Sequence, residues 1–573
     1  MALKRYTASA DTTVSNTYEP NLITRATGAN MGASDVLDVF SIYGRQSTSS
    51  AEVSRVLIKF PITGISADRT NSTIPASGSV NFFLRLYNAP NSKTVPKDAK
   101  YVFMMVSQSW QEGVGLDMEG YADLTLGNEG CNWMSASDST YWKDINNTLL
   151  AGGSYHTQSG APNNQVNTEI YIFDKTLSDG TENIELNITP WVEQWIAGTY
   201  SNYGLGVMLT ASQEASSSVD ALAGRATGRA DDDGELENPS GSTTSYYTKR
   251  FFGRGSQYFY KRPVIEARWD DITRDDRGNF YYSSSLASAA DNLNTIYFYN
   301  YVRGRLADIP NLGADKRVYV GIYSGSVGGD YINGGEADDA PPSDIPVSGA
   351  TSANTGSVQV LSADNAGHVR SSYLTVITGG IVSTGVYSAS FAFTGSKNPT
   401  VLKTIYDVWY TGSDSHKHAH NATGQFYTGS IVPKILSAVS ISHKPSYYIN
   451  LMNVRQAYHP DETVRFNLHI REKNRNQNIY TKATSIVKTL TMQSASYRVY
   501  RVVDGYEAVS YGTGSELHTG LSYDETGNYF DFDMNLLQPG YAYAFKFAFY
   551  DSAVASWIEQ DKTFKFRVVE YEY

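Results

Sequence analysis

The sequence predicts an all-β chain of several domains, and three observations carry that expectation. Aromatic residues are abundant, with Tyr 43, Phe 22 and Trp 8, and aromatic side chains favour the half-buried, pleated surface of a sheet. Charged residues make up only 18%, below the roughly 25% usual in soluble domains, while 48 glycines supply turn positions. Apolar and polar residues also alternate with period two in segment after segment, with turn clusters between them. The 573 residues allow about two to four domains at roughly 150 residues each.

Taken along the chain, convincing helices are few. Thr189 as N-cap, Pro190 at the first helical position and Gly198 as stop enclose a short helix. Trp191 and Trp195 share one face of it and are expected to pack on a sheet. Arg262 to Trp269 reads as a closing strand, followed by the charged link Asp270 to Arg277. A second break falls near Ile431-Val432-Pro433-Lys434. The domains are therefore expected at 1–270, 271–434 and 435–573. In the last of these, Val464, Phe466, Leu468 and Ile470 form one face of a strand. Tyr541, Tyr543, Phe545, Phe547 and Phe549 form another, and Phe564, Phe566 and Val568 a third. The polar stretches Ser212 to Ser245 and Ser324 to Thr355 read as long loops, which tend to bind or to cover a neighbour. No period of about 20–50 residues marks a solenoid or propeller.

Charge and cysteine usage remove several functions. The net charge of −12 argues against nucleic-acid binding, which needs concentrated positive charge. The single cysteine, Cys131, excludes an internal disulfide and a Cys-rich zinc site. Between Gly130 and Asn132-Trp133 it suggests packing rather than an activated thiolate. The first ten residues lack the apolar core of a secretory signal, and no window approaches the ~18 apolar residues of a membrane helix. The expectation is synthesis in a host cytoplasm, with no membrane partner.

The first ~270 residues resemble the DNRLRE-type β-sandwich modules. The segments that carry this are Asp11-Thr12-Thr13-Val14, Asn30-Met31-Gly32-Ala33-Ser34, Leu37-Asp38-Val39 and Ser54-Arg55-Val56-Leu57-Ile58-Lys59-Phe60-Pro61-Ile62. Then come Val106 to Gly113, Asn132-Trp133, Trp142, Leu186 to Val192 with Trp195 and Gly198, Asn202 to Leu205, and Arg262 to Ile265, in the same order. Lys59 and Pro61 depart from the family, which favours Arg and Asp there, so any role of that carboxylate does not carry over. The resemblance implies a jelly-roll-like sandwich, often an accessory or carbohydrate-binding module. With the cytoplasm-style start, it is similar to virion proteins of marine tailed phages of the myovirus type. Leu537-Gln538-Pro539-Gly540-Tyr541-Ala542-Tyr543 resembles the tyrosine corner of immunoglobulin-like and fibronectin-type sandwiches, whose Tyr hydroxyl bonds back to the turn.

Chemistry-bearing clusters are sparse. His416, His418 and His420 would share one face of a strand, so three imidazoles have the spacing to meet a metal. Only Asp414 lies close in sequence to support them, and a polar loop or strand end is the alternative. Asp330, Asn333, Glu336, Asp338 and Asp339, and separately Asp231, Asp232, Asp233, Glu235 and Glu237, offer oxygen ligands for Ca²⁺ without EF-hand spacing. Solvated acidic loops, or contacts to a basic neighbour, are the alternatives. Motifs of nucleophilic, zinc-protease or P-loop chemistry are absent, and no cofactor is expected. Trp110, Trp133 and Trp142, with Tyr246, Tyr247, Tyr258 and Tyr260, offer rings to stack on sugar; core packing or subunit contact is the alternative. The expected function is a non-enzymatic structural protein of a tailed-phage virion, in tail, neck, baseplate or capsid surface. Its expected partners are other virion proteins and copies of itself. A carbohydrate-binding adhesin is the alternative, and a polysaccharide-degrading enzyme a weaker one.

Overall fold

A computed structural model describes residues 2–20, 25–44, 51–92, 95–116, 130–138, 140–144, 146–156, 172–217, 238–282, 288–310, 312, 316–324, 347–348, 360–362, 377–394, 405–411, 425–434, 446–473, 489–552 and 554–571. The chain is all-β and multidomain, with two short α-helices, Ile62–Thr70 and Thr189–Ala197, among the described residues. It divides into two compact units, Ala2–Asp270 and Asp271–Tyr573. Among the described residues no helix is long and apolar enough to cross a membrane.

In the first unit two antiparallel sheets enclose a core. The four-stranded sheet runs Leu3–Thr7, Val264–Trp269, Val80–Leu86, Ile184–Asn187. The seven-stranded sheet runs Tyr246–Phe252, Val36–Tyr43, Ala51–Lys59, Leu205–Leu209, Ala99–Met105, Phe173–Leu177, and Ala10–Ser15 also pairs with Ala51–Lys59. Alternation decides which side chains meet. Val56 and Ile58 point into the core shared with Phe82, Leu84 and Ile265, whereas Val53 and Leu57 point the other way. The outward face is covered in turn: residues between Val106 and Ala151 lay Trp110, Trp133 and Trp142 over it, forming a second buried cluster. The strand Ala51–Lys59 is thus buried on both faces, which explains its apolar character on both.

The helix Thr189–Ala197 seats Trp191, Val192 and Trp195 in the first core, as the four-residue spacing predicts. Its cap differs from expectation. Ile188 is the N-cap and Thr189 the first helical residue. The Thr189 hydroxyl instead accepts from the Phe82 backbone N–H at 2.8 Å and donates to Asn187 at 2.6 Å. Threonine here ties the helix start to the sheet, a demand that competes with capping. Gly198 closes the helix at φ 72°, in the left-handed region that glycine enters without steric cost.

The second unit carries an eight-stranded sheet that includes Leu293–Tyr299, Val318–Ser324, Val386–Thr394 and Gln425–Ile431. Further on, a four-stranded sheet around Thr463–Glu472 and Gly527–Asp533 accompanies a six-stranded sheet around Ala495–Arg501, Ala542–Asp551 and Phe564–Val568. Their facing rings fill the space between: Phe466 lies 5.0 Å from Phe545, and Tyr497 lies 4.4 Å from Phe530. The Tyr543 hydroxyl donates to the Gln538 carbonyl at 2.9 Å, and Gly540 turns the chain at φ 88°. The charged run after Asp270 is built into this unit. Tyr523 exchanges backbone bonds with Thr273 and Asp275, and its hydroxyl donates to Asp276 at 2.9 Å. Arg277 forms a buried bidentate pair with Asp407, at 2.6 and 2.7 Å, and the Trp409 indole N–H donates to the same carboxylate.

Candidate functional site

The strongest constellation of chemistry and exposure in the first unit lies where Phe252 leaves its sheet and the chain returns as Val264. Gly253 N–H bonds to the Asp35 carbonyl, and Arg254 follows. The Arg254 backbone N–H donates to Asp11 Oδ2 at 2.5 Å, and its guanidinium holds Glu112 at 3.0 and 2.6 Å. Glu112 Oε1 also accepts the Asp11 backbone N–H at 2.8 Å. Two carboxylates and one guanidinium therefore brace three separate segments.

Asn30 completes the brace. Its Oδ1 accepts from Gly32 and Gly115, at 3.2 and 2.8 Å, and its Nδ2 donates to the Glu112 and Cys131 carbonyls, each at 2.8 Å. An asparagine amide with two acceptor and two donor sites is fully used here. Gly113 must be glycine: its φ is 79°, and a Cβ would sit 2.4 Å from Asn30 Oδ1. The motif residues Asp11, Asn30 and Gly113 thus share one physical task.

Asp11 is 1% exposed. Burial pushes its carboxyl up from 3.8 to about 7; the Arg254 backbone N–H works against this and the charge of Glu112 adds to it. The Arg254 guanidinium is held above its ordinary value, first by its hydrogen bond to Glu112. Asp11 is closed off from solvent, and with Glu112 and Arg254 it braces the loop.

On that brace stand exposed rings. Tyr258 is 48% and Phe259 52% exposed. Tyr258 packs edge-on against Phe252 at 5.3 Å, and Phe259 against Tyr260 at 5.3 Å. Lys261 Nζ lies 5.8 Å from the Tyr258 ring, and the Arg262 guanidinium 5.1 Å from Phe259. Arg262 also donates to the Ser256 carbonyl at 2.9 Å, which fixes the turn. The result is a rigid aromatic edge flanked by two cations, suited to stacking and to hydrogen-bond donation. Tyr247 is exposed and Tyr246 half-buried on the strand that leads here.

Trp110, Trp133 and Trp142 are interior, which is the core-packing reading, and burial rules them out as sugar platforms. Trp133 and Trp142 are fully buried and Trp110 nearly so. The Trp110 indole N–H donates to the Tyr203 carbonyl at 2.7 Å, and that of Trp142 to Asn132 at 2.9 Å. Trp133 packs under Arg55, whose guanidinium sits 5.5 Å from the ring and grips Glu214 at 3.0 and 2.8 Å. These rings have no face open to a ligand because the described residues of 107–116 and 130–155 lie with them over the sheet. Cys131 is buried in the same layer, and burial pushes its thiol up, away from the reactive thiolate.

His416, His418 and His420 lie outside the described residues, as do Asp414, the cluster Asp330, Asn333, Glu336, Asp338 and Asp339, and the cluster Asp231, Asp232, Asp233, Glu235 and Glu237. Among the described residues no group of three or more His, Cys, Asp or Glu is placed to hold a metal ion. Sequence reading missed Glu112, Arg254 and Phe259. The usable signal was the alternation of aromatic, basic and small residues in Phe252-Gly253-Arg254-Gly255-Ser256-Gln257-Tyr258-Phe259-Tyr260-Lys261-Arg262.

No protein-family model matches this chain, and no curated protein does. Among solved structures it is similar to a DUF4785 family protein from Legionella pneumophila at 8% identity. That match covers 99% of this chain and 91% of the other with a TM-score of 0.13, too loose a superposition to carry an argument.

Proposed function

We propose that the chain is a non-enzymatic structural protein of a tailed-bacteriophage virion, acting through protein–protein assembly in the tail, neck, baseplate or capsid surface. The observation that carries this reading is the distribution of exposed aromatic side chains over both units. Tyr247, Tyr258 and Phe259 stand out from the first, and Tyr301, Phe426, Tyr448 and Tyr550 from the second. Aromatic side chains are the residue type that most often anchors protein interfaces. The resemblance of the motif series is to DNRLRE-type modules, and a module of that kind in a tailed-phage virion protein is the setting proposed for it; a chain without disulfides suits assembly inside a host cell. Its partners are other virion proteins and copies of itself. Immunogold labelling of purified particles tests the proposal. Label at one fixed place on the particle is expected, whereas label only on unassembled material would overturn it.

A second reading, a carbohydrate-binding adhesin for host attachment, rests on the braced aromatic edge itself. Tyr258 and Phe259 offer ring faces beside Lys261 and Arg262, which together match a sugar ring and its hydroxyl or acidic groups. Screening the purified chain against host-surface polysaccharides tests this: binding lost in Phe259→Ala but kept in Tyr550→Ala supports it. Silence across the panel would remove it.

A further inference from the structure

The second unit carries a small two-stranded sheet, Tyr301–Val302 with Arg305–Leu306, which pairs with no other strand among the described residues. Tyr301 faces Leu306 and Val302 faces Arg305 across it. Arg303 at φ 52° and Gly304 at φ 76° close the turn, the two positive-φ positions of a tight hairpin. All six residues from Tyr301 to Leu306 are exposed. Tyr301 is 62%, Val302 52% and Leu306 39% exposed.

An isolated hairpin is marginal in water, so its base matters. Here the base is fixed. Asn300 N–H donates to the Gly385 carbonyl at 2.7 Å and Ala307 N–H to the Asn300 carbonyl at 3.0 Å. The Asn300 side-chain amide donates to the Ala307 carbonyl at 2.7 Å, and Gly385 N–H to Asp308 at 2.8 Å. Gly385 sits at φ 70°, and a Cβ there would meet Ala307 N at 2.6 Å. The fold thus presents apolar and cationic side chains on a pre-organised arm, which lowers the ordering cost of binding.

The charges say what it meets. Arg277 and Arg465 in the same unit grip carboxylates. Among the described residues no ion pair or hydrogen bond holds the guanidinium of Arg303 or Arg305. Two unpaired guanidinium groups beside exposed Tyr, Val and Leu fit an acidic protein surface with an apolar centre. The chain itself has a net charge of −12.

We infer that the Tyr301–Leu306 hairpin is a self-assembly arm that docks on an acidic surface of a second copy of this chain. This rests on the assembly reading above and names its first partner. The arm supplies Tyr301 and Leu306 as the apolar contact and Arg303 and Arg305 as the charged rim, so association weakens with salt. Because the six residues are exposed, changing them leaves the fold intact.

Sedimentation velocity of the full-length chain across a concentration series, at low and high salt, tests the inference. The wild type is expected to self-associate, with weaker association at high salt. R303E/R305E and Tyr301→Ser/Leu306→Ser are each expected to raise the dissociation constant about tenfold or more, with unchanged circular dichroism and melting. Asn300→Ala, which keeps the charge and loosens the base, is expected to weaken association by a smaller factor. A wild type that stays monomeric, or variants that associate as the wild type does, would overturn the inference. Finding the chain in purified virions despite either result would leave the assembly reading standing.

Discussion

Replacing Asp11 by Asn is expected to flatten the pH dependence of the first unit's stability. In the folded chain burial holds the Asp11 carboxyl at about 7, against an ordinary value of 3.8. Between those two values the folded chain keeps a proton that the unfolded chain has released. Stability therefore falls as pH rises through that window and levels off above about 7. Each unit of separation is worth about 1.4 kcal/mol, so the wild type loses on the order of 4 kcal/mol between pH 4 and pH 8 through this one group. Asparagine preserves the acceptor for the Arg254 N–H but carries no charge at either pH. Its own amide hydrogens add an offset that does not vary with pH. Urea unfolding followed by tryptophan fluorescence is the assay, because Trp110, Trp133, Trp142, Trp191, Trp195 and Trp269 all lie in the first unit. The variant should gain on the wild type by a few kcal/mol from pH 4 to pH 8. Parallel profiles for the two chains would refute the burial argument.

Three further substitutions test the packing account. Trp133→Ala should cost about 3–5 kcal/mol, because it empties the centre of the second core and removes the platform under Arg55; urea melts check it, and a near-neutral result would contradict the interior placement. Tyr543→Phe should cost about 1 kcal/mol through loss of the bond to the Gln538 carbonyl, read as a shift in the second unit's urea midpoint at constant slope. Arg277→Met should cost about 3–5 kcal/mol by leaving the Asp407 carboxylate buried without its cation. The double variant Arg277→Met/Asp407→Leu should recover part of that loss; a double variant worse than the single one would contradict this reading.

Period-two alternation placed the C-terminal strands well, since Phe466, Leu468 and Ile470 bury while Arg465, Asn467 and Arg471 do not. The helix from Thr189 was equally legible, because Pro190 and Gly198 are local signals. Its cap was not, since the Thr189 hydroxyl is claimed by Phe82, a partner 107 residues away. The same limit explains the tryptophans. Nothing local reveals that the strand Ala51–Lys59 needs a cover on its second face, so core packing of Trp110, Trp133 and Trp142 could be favoured from the sequence but not placed. Arg55 finds Glu214 across 159 residues of sequence, and Arg254 finds Glu112 across 142. Pairings of that range are set by sheet topology, which alternation does not encode. Tyr258 was legible as an aromatic candidate, but the brace beneath it joins Asp11, Glu112 and Arg254, which are far apart in sequence.

A structural part of a virion travels with the particle in fixed proportion to its other proteins. Quantitative mass spectrometry of purified phage particles from the source culture, counting the chain against the major capsid protein, is the decisive check on the proposed virion role. A fixed copy number per particle that matches a symmetric ring, on the order of three to twelve copies or a multiple, is the expected result. Absence of the chain from particles, with the protein recovered free in the culture, would contradict it.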